Sequence, residues 1–281
     1  MCLPQKRAYH VVYDKTLDDS LRYAQNNNWT AIVPDISVPR FSPHLFSTDE
    51  RTSLQQLSES LGIEWGFHAP GDNISLRSTY PPVRKGILSY YKSIIDFAKD
   101  VSTKPTNLVV HAGETPHFRE AKRAEDEFVA HHYDIYKDTL SEMFSALIEY
   151  GRPSVDIVIE NYKWDTMIHE VIQELVPKGL KLCMDIPKLY NPNLTLCTAD
   201  WVLFEEFSDA IEVIHIHDWI PNLGSHQTIG EGSIDFNQAL SFLGTIPRSL
   251  QYVIEVRPRE YALASLENLE SILDVLGIKL R

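Results

Sequence analysis

A closed (β/α)8 TIM barrel, built as one domain over residues 1–281, is the fold this sequence predicts, and three observations predict it. Short runs rich in Val and Ile recur eight times along the chain, and a segment with helical apolar spacing follows each, the order expected of repeated βα units. Several runs are apolar without interruption, as in Ile157-Val158-Ile159, which implies burial on both faces and a parallel sheet covered by helices. A barrel of this kind takes about 250 residues, and a chain of 281 supplies them with little to spare. An open doubly wound sheet is the competing architecture, but no strand-like run leads into a GxGxxG turn.

In chain order the strand-like runs occupy residues 8–13, 30–36, 63–68, 107–113, 156–161, 180–186, 211–218 and 252–257. The helix-like segments occupy 17–27, 48–61, 83–101, 127–150, 167–175, 200–207, 236–243 and 262–276. Segment 83–101 shows the pattern: Ile87, Tyr90, Tyr91, Ile94 and Phe97 can share one face of a helix. No low-complexity tract or long run of like charges marks a linker, hence the single domain.

Composition narrows the function classes. The net charge is −13, so the averaged surface field repels polyanions and disfavours nucleic acid or an anionic membrane as partner. Three cysteines, Cys2, Cys183 and Cys197, form no CxxC pair, which argues against a disulfide framework or a cysteine zinc site and fits a reducing cytoplasm. The N-terminus has no apolar core of signal-peptide length, and no window approaches the ~18 apolar residues of a membrane span. A soluble cytoplasmic protein is expected.

In a barrel the chemistry gathers at the C-terminal ends of the strands. Those ends carry His68, His111, Glu160, Asp185, His215 with His217, and Glu255. A lone histidine such as His68 is ordinarily a hydrogen-bonded loop or core residue. A carboxylate closing an apolar strand is different, because an unpaired buried charge is costly. Glu160, Asp185 and Glu255 all close such strands and would converge. Three carboxylates side by side call for a positive partner, and a divalent metal ion with imidazole among its ligands is the economical one. Mn, Zn, Co, Fe or Mg would suit the mixed oxygen and nitrogen donors, and the sequence does not choose among them. His215 and His217 are two apart and point to the same side of a strand. His10 lies on the first strand without comparable carboxylate company and is read as a core residue or a substrate contact. His44, His117, His131, His132 and His169 fall in loops or helices and are expected to be solvated.

These positions resemble the xylose isomerase-like TIM-barrel superfamily, which includes sugar and sugar-phosphate isomerases and epimerases and the endonuclease IV enzymes. The resemblance is carried, in order, by Phe67-His68-Ala69-Pro70, Val110-His111-Ala112-Gly113, Ile159-Glu160-Asn161, Met184-Asp185, Ile214-His215-Ile216-His217-Asp218, His226 with Gly230-Glu231-Gly232, and Ile254-Glu255. It implies one metal held by Glu160, Asp185, His215 and Glu255, with His217 as the alternative to His215. In the endonucleases a second metal adds histidines at the places of His68 and His111. A third uses a histidine and an Asp-x-His where this chain has Lys188 and Gly224, keeping only His226, so that third site is expected to be missing.

The resemblance further implies an isomerase or epimerase of a small sugar or related hydroxy-carbonyl compound. Glu160 and Glu255 would be the acid–base pair, moving a proton alpha to a carbonyl through a metal-bound cis-enediolate. His68, His111, Lys188, His217, His226 and Arg257 are candidate substrate contacts. Lys188 stands three residues after Asp185, where the epimerases often place a substrate-contacting histidine. Arg257 shares strand parity with Glu255, although a plain salt bridge is its ordinary alternative. Trp65, Trp164, Trp219 and Tyr190 are candidate walls of a sugar pocket, and the loops 113–127 and 187–198 would set specificity. Two alternatives stay open: a metal-dependent hydrolase or lyase, including an endonuclease IV-like phosphodiesterase, and a barrel that binds a ligand without turnover. The expected partner is a small-molecule substrate; relatives often form homo-oligomers through the helical exterior.

Overall fold

The computed structural model describes residues 6–71, 74–114, 130–191 and 193–278. Its strands are β1 (Lys6–Val11), β2 (Ala31–Pro34), β3 (Glu64–Trp65), β4 (Phe67–His68), β5 (Thr106–Val110), β6 (Val155–Glu160), β7 (Lys181–Asp185), β8 (Ile211–Ile216), β9 (Asp218–Ile220), β10 (Gly224–Gln227) and β11 (Gln251–Ile254). Nine of them form one sheet in the order β3-β2-β1-β11-β8-β7-β6-β5-β4, and every pairing within it is parallel. β3 and β4 are two halves of one barrel strand, parted at Gly66. The first half pairs with β2 and the second with β5, while the Ile36 N–H donates to the His68 carbonyl across the seam at 2.9 Å. The sheet therefore closes on itself, as the repeated βα pattern predicts.

Helices cover the outside: α1 (Leu17–Asn26), α2 (Thr48–Leu61), α3 (Pro81–Val101), α4 (Tyr133–Gly151), α5 (Thr166–Leu175), α6 (Thr198–Glu206), α7 (Asn237–Leu243) and α8 (Arg259–Val275). Their ends carry the expected local chemistry. Ser47 and Glu50 form a reciprocal capping box at the start of α2, and Gly62 ends it at φ 69°, a left-handed conformation that costs glycine nothing. Asp165 caps α5 by accepting from the Ile168 N–H at 2.9 Å. The predicted start of the helix 127–150 lies outside the described residues. Among the described residues, no helix is long and apolar enough to cross a membrane.

The strand expected over 211–218 stops at Ile216. From Asp218 the chain turns into a hairpin in which β9 pairs antiparallel with β10, an element the sequence pattern does not announce. Asn222 makes that turn at φ 69°. The physical reason for the break is the Asp218 side chain. It accepts backbone N–H bonds from Trp219, Gly230, Gly232 and Ile234, and so ties the chain to the loop that follows instead of letting the strand run on.

Small residues plug the barrel. Ala8, Ala31, Val33, Val109, Val158, Cys183, Val213 and Val253 form their own buried cluster inside the sheet. Gly66 completes it, since a Cβ there would sit 3.0 Å from Gln251 Nε2 and 3.1 Å from Val33 Cγ2. Side chains alternate along a strand, so the residue two positions after the last plug residue of each barrel strand points inward one layer higher. Those positions are His10, Asp35, His68, His111, Glu160, Asp185, His215 and Glu255. Every barrel strand delivers one titratable group to the same floor.

Candidate active site

Glu160 is the hub of that floor. Its Oε2 lies 3.2 Å from His68 Nε2, 3.1 Å from His111 Nε2 and 3.2 Å from His215 Nδ1. Its Oε1 accepts from the Lys188 ammonium, which also pairs with Asp185 Oδ2 at 2.7 Å. His215 Nδ1 is equally close to Glu255 Oε1, at 3.2 Å. Glu160, Asp185 and His215 are all 0% exposed, so these charges meet out of contact with water. Asn161 fixes Asp185 from the neighbouring strand: its carbonyl accepts the Asp185 N–H at 2.6 Å and its amide donates to the Asp185 carbonyl at 3.0 Å.

His217, two residues on from His215, points to Asp185 Oδ2 at 3.5 Å, and its Nδ1 accepts the His226 N–H at 3.1 Å. His226 lies against it, with ring centroids 4.4 Å apart, and its own Nδ1 is 3.8 Å from Glu255 Oε2. The hairpin β9–β10 thus brings His226 back over the strand ends.

The charge environment follows from burial and these contacts. Burial alone would raise the Glu160 carboxyl, but the Lys188 ammonium with the His111 and His215 rings holds it well below the ordinary carboxylate range. Burial is likewise overcome at Glu255, by His215 and His10, and at Asp185, by Lys188 and His217. Burial opposes charge on His68 too, yet its hydrogen bond to Glu160 raises the imidazole to about 9. Where burial outweighs the nearby carboxylates the shift reverses: His10 is lowered to about 3 despite Glu255 and Asp35, and His226, beside His217, to about 4 despite Glu255.

A cavity of about 410 Å³ opens above this floor, lined in part by His10, Asp35, His68, His111, Lys188, His226, Glu255 and Arg257. It is of the size that holds a small ligand. The structure brings together all ten residues singled out from the sequence, Glu160, Glu255, Asp185, His215, His217, His68, His111, Lys188, His226 and Arg257, at or around this cavity. Three donor groups have ligand atoms within 4.8 Å of one another: His68, Glu160 and His215; Asp185, His215 and Glu255; and His217, His226 and Glu255. Among the described residues, neither ring nitrogen of His215 has a well-aligned hydrogen-bond partner, nor does Nε2 of His217. Buried nitrogens placed this way beside carboxylates could serve as ligands to a metal ion.

Several expectations need correction. His10 does have carboxylate company, with Asp35 and Glu255 each 3.8 Å away. Asp35 escaped notice because Pro34 interrupts its apolar run; parity with Val33 would have found it. None of the four aromatics expected to wall the pocket lines the cavity. Trp65 is buried and stacks on Phe67 at 5.8 Å, the Trp164 indole donates to the Glu160 carbonyl at 2.7 Å, and the Tyr190 hydroxyl donates to the Asp235 carbonyl at 3.0 Å. Tyr162 takes that place, stacked on the His111 ring at 4.6 Å. His169 is not simply solvated, because it pairs with Asp200 at 2.6 Å. Arg257 has no carboxylate within ion-pair distance among the described residues, so the plain salt bridge is not what holds it. His117 and most of the loop 113–127 lie outside the described residues.

Comparison with known proteins agrees with this architecture. The family described as xylose isomerase-like TIM barrel matches residues 22–272. An uncharacterized protein of Methanocaldococcus jannaschii is 25% identical over 233 residues, covering 80% of this chain and 81% of its own. Among solved structures, a D-tagatose 3-epimerase-like protein superposes with a TM-score of 0.73 at 22% identity, over 97% of this chain and 98% of the other. The 3-keto-D-glucoside 4-epimerase of E. coli gives 0.69 at 15% identity, over 96% and 99%. Endonuclease IV of Thermus thermophilus gives 0.67 at 14% identity, also over 96% and 99%.

Proposed function

The chain belongs to the xylose isomerase-like TIM-barrel family, and from that premise we propose that it is a divalent-metal-dependent isomerase or epimerase acting on a small sugar or related hydroxy-carbonyl compound. One observation carries the reading. Glu160 and Glu255, from different barrel strands, converge on one ring nitrogen of His215 at 3.2 Å each, with Asp185 beside them and a ligand-sized cavity above.

The donor set fits a divalent ion: three carboxylates and an imidazole whose nitrogens lack aligned partners. Glu160, Asp185, His215 and Glu255 would hold it, with His217 as a further donor, and the Lys188 ammonium would have to withdraw from Glu160 and Asp185. Bound there, the ion would offset the carboxylate repulsion and polarise a carbonyl and its neighbouring hydroxyl. The protein supplies the rest. Both glutamates are held ionised, so either can accept a proton from the carbon next to the carbonyl. The other glutamate, once it has taken up a proton from water at the cavity mouth, can return one to the opposite face. Burial of the floor keeps water away from the carbon while it is deprotonated. His68 and His111, both bonded to Glu160, orient its carboxylate.

The test is hydrogen exchange between a bound ketose and deuterated water, followed by NMR on a panel of ketoses in the presence of Mn, Co or Mg. Glu160→Gln and Glu255→Gln are each expected to reduce exchange at least a hundredfold; unchanged exchange in either variant removes its assigned role. A second reading, a metal-dependent hydrolase or lyase on the same scaffold, is favoured by the three overlapping donor groups, which offer room for more than one ion. Metal analysis separates the two: one ion per chain supports the isomerase, and two or more support the hydrolase. The net charge of −13 weighs against a nucleic-acid substrate for that second reading.

A further inference from the structure

Among the described residues, Lys188, Arg257 and Arg259 are cationic side chains that follow the ends of β7 and β11, and two of the three are consumed. Lys188 is paired with Glu160 and Asp185. Arg259 is locked on the first βα loop, where it donates to Asp14 and Asp19. Arg257 is different. It lines the cavity, has no carboxylate in reach among the described residues, and its Nε is buried without an acceptor. Among the described residues its hydrogen-bond partner is His10, with Nη2 3.5 Å from the His10 Nδ1, a ring nitrogen that can steady the guanidinium but brings no negative charge to it.

Arg257 as a whole is half-buried, and the planar fork of donors on its guanidinium matches a carboxylate or a phosphate. Native structures leave buried donors unmade where something outside the protein completes them. Position agrees. Arg257 follows Glu255 by two residues, past the end of β11 at Ile254, and the two line the same cavity. Serines 37 and 225 line the same cavity and add hydroxyl donors.

We propose that Arg257, steadied by His10, forms a subsite for an anionic oxygen group at the outer end of the cavity's ligand, so that the substrate is a sugar acid or a sugar phosphate and not a neutral sugar. The shared chemistry is an oxyanion, and its two sources differ in shape: a planar carboxylate or a tetrahedral phosphate ester. The substrate class rests on the isomerase reading; the subsite itself does not, because anion binding needs no turnover.

The experiment is calorimetric titration of the wild-type chain, at constant ionic strength, with sulfate and separately with acetate, repeated on Arg257→Gln and Arg257→Lys. The wild type is expected to bind one of the two at least tenfold more tightly than Arg257→Gln does, with Arg257→Lys between. Preference for sulfate assigns a phosphate ester, and preference for acetate a carboxylate. Binding of neither anion to the wild type, or equal binding to wild type and Arg257→Gln, overturns the proposal. Should the glutamine variant not fold, the Arg257 Nε–H resonance of the wild type gives the answer: it shifts on adding the anion if the subsite exists and stays fixed if it does not. Anion binding without proton exchange would remove the isomerase reading and keep the subsite; exchange without anion binding would do the reverse.

Discussion

Replacing Asp218 by Asn tests how the strand ends are held. The Asp218 carboxylate is 1% exposed and accepts four backbone N–H bonds. Oδ1 takes those of Trp219 at 2.8 Å and Ile234 at 3.1 Å; Oδ2 takes those of Gly230 and Gly232 at 2.9 Å each. An asparagine keeps one oxygen and turns an NH2 group toward the other two N–H donors, so two of the four bonds become donor-to-donor contacts. Hydrogen bonds to a charged group are worth about 1.5–3 kcal/mol each, which puts the loss at about 3–6 kcal/mol. That is a large share of the roughly 5–15 kcal/mol typical of a folded domain. Gly232 leaves no room for a compensating shift, since a Cβ there would already lie 2.2 Å from Asp218 Oδ1. Urea unfolding should show a lowered midpoint with little change in slope, and the amides of Gly230 and Gly232 should exchange with solvent sooner. A loss below about 1 kcal/mol, with exchange of those amides unchanged, would refute the clamp assigned to Asp218.

Other outcomes follow from the same geometry. In the metal-free protein His68 should titrate near pH 9 by NMR, and in Glu160→Gln its midpoint should fall, because burial then acts without its main counterweight. The sign for stability is fixed by that shift: since its folded value exceeds the unfolded one, the His68 contribution is complete below pH 6.5 and is lost as pH rises through about 9. Removing the ammonium with Lys188→Met should lower the unfolding temperature of the metal-free chain, by leaving Glu160 and Asp185 without their ammonium partner, and should tighten manganese binding at least tenfold by calorimetry; weaker binding would contradict the competition between ammonium and ion. Gly71→Ala places a Cβ 2.1 Å from His111 Nδ1, so the ring must move off Glu160; proton exchange should fall at least tenfold while the circular dichroism spectrum stays that of the wild type.

Strand order and much of the floor were legible because two periodicities carry them. Alternation along a buried strand puts every second residue inside, and a polar residue in that series stands out against Val and Ile; Glu160, Asp185 and Glu255 are visible for this reason. Asp35 was hidden by Pro34, which breaks the apolar run just where the carboxylate falls. His10 could be read only with its neighbours, and Asp35 and Glu255 come from strands that are remote in sequence. Tyr162 and the β9–β10 hairpin belong to loops, where no period applies and contacts decide. The Gly230-Glu231-Gly232 motif helps carry the resemblance, and in the structure its two glycines donate their backbone N–H groups to Asp218.

The completeness of the floor is itself informative. One titratable residue from every barrel strand gives four carboxylates, Asp35, Glu160, Asp185 and Glu255, and four histidines, His10, His68, His111 and His215, in one layer. A barrel needs none of them for closure, since the layer beneath is plugged by small apolar residues and glycine. Apolar side chains in the upper layer would be the more stable choice, because buried ion pairs seldom repay their desolvation. Lys188 neutralises only part of the negative charge, and burial keeps His10 uncharged. Such an arrangement costs stability that a purely structural layer would not, as functional sites do, and the cavity above Glu160 and Glu255 is where a completing partner would enter.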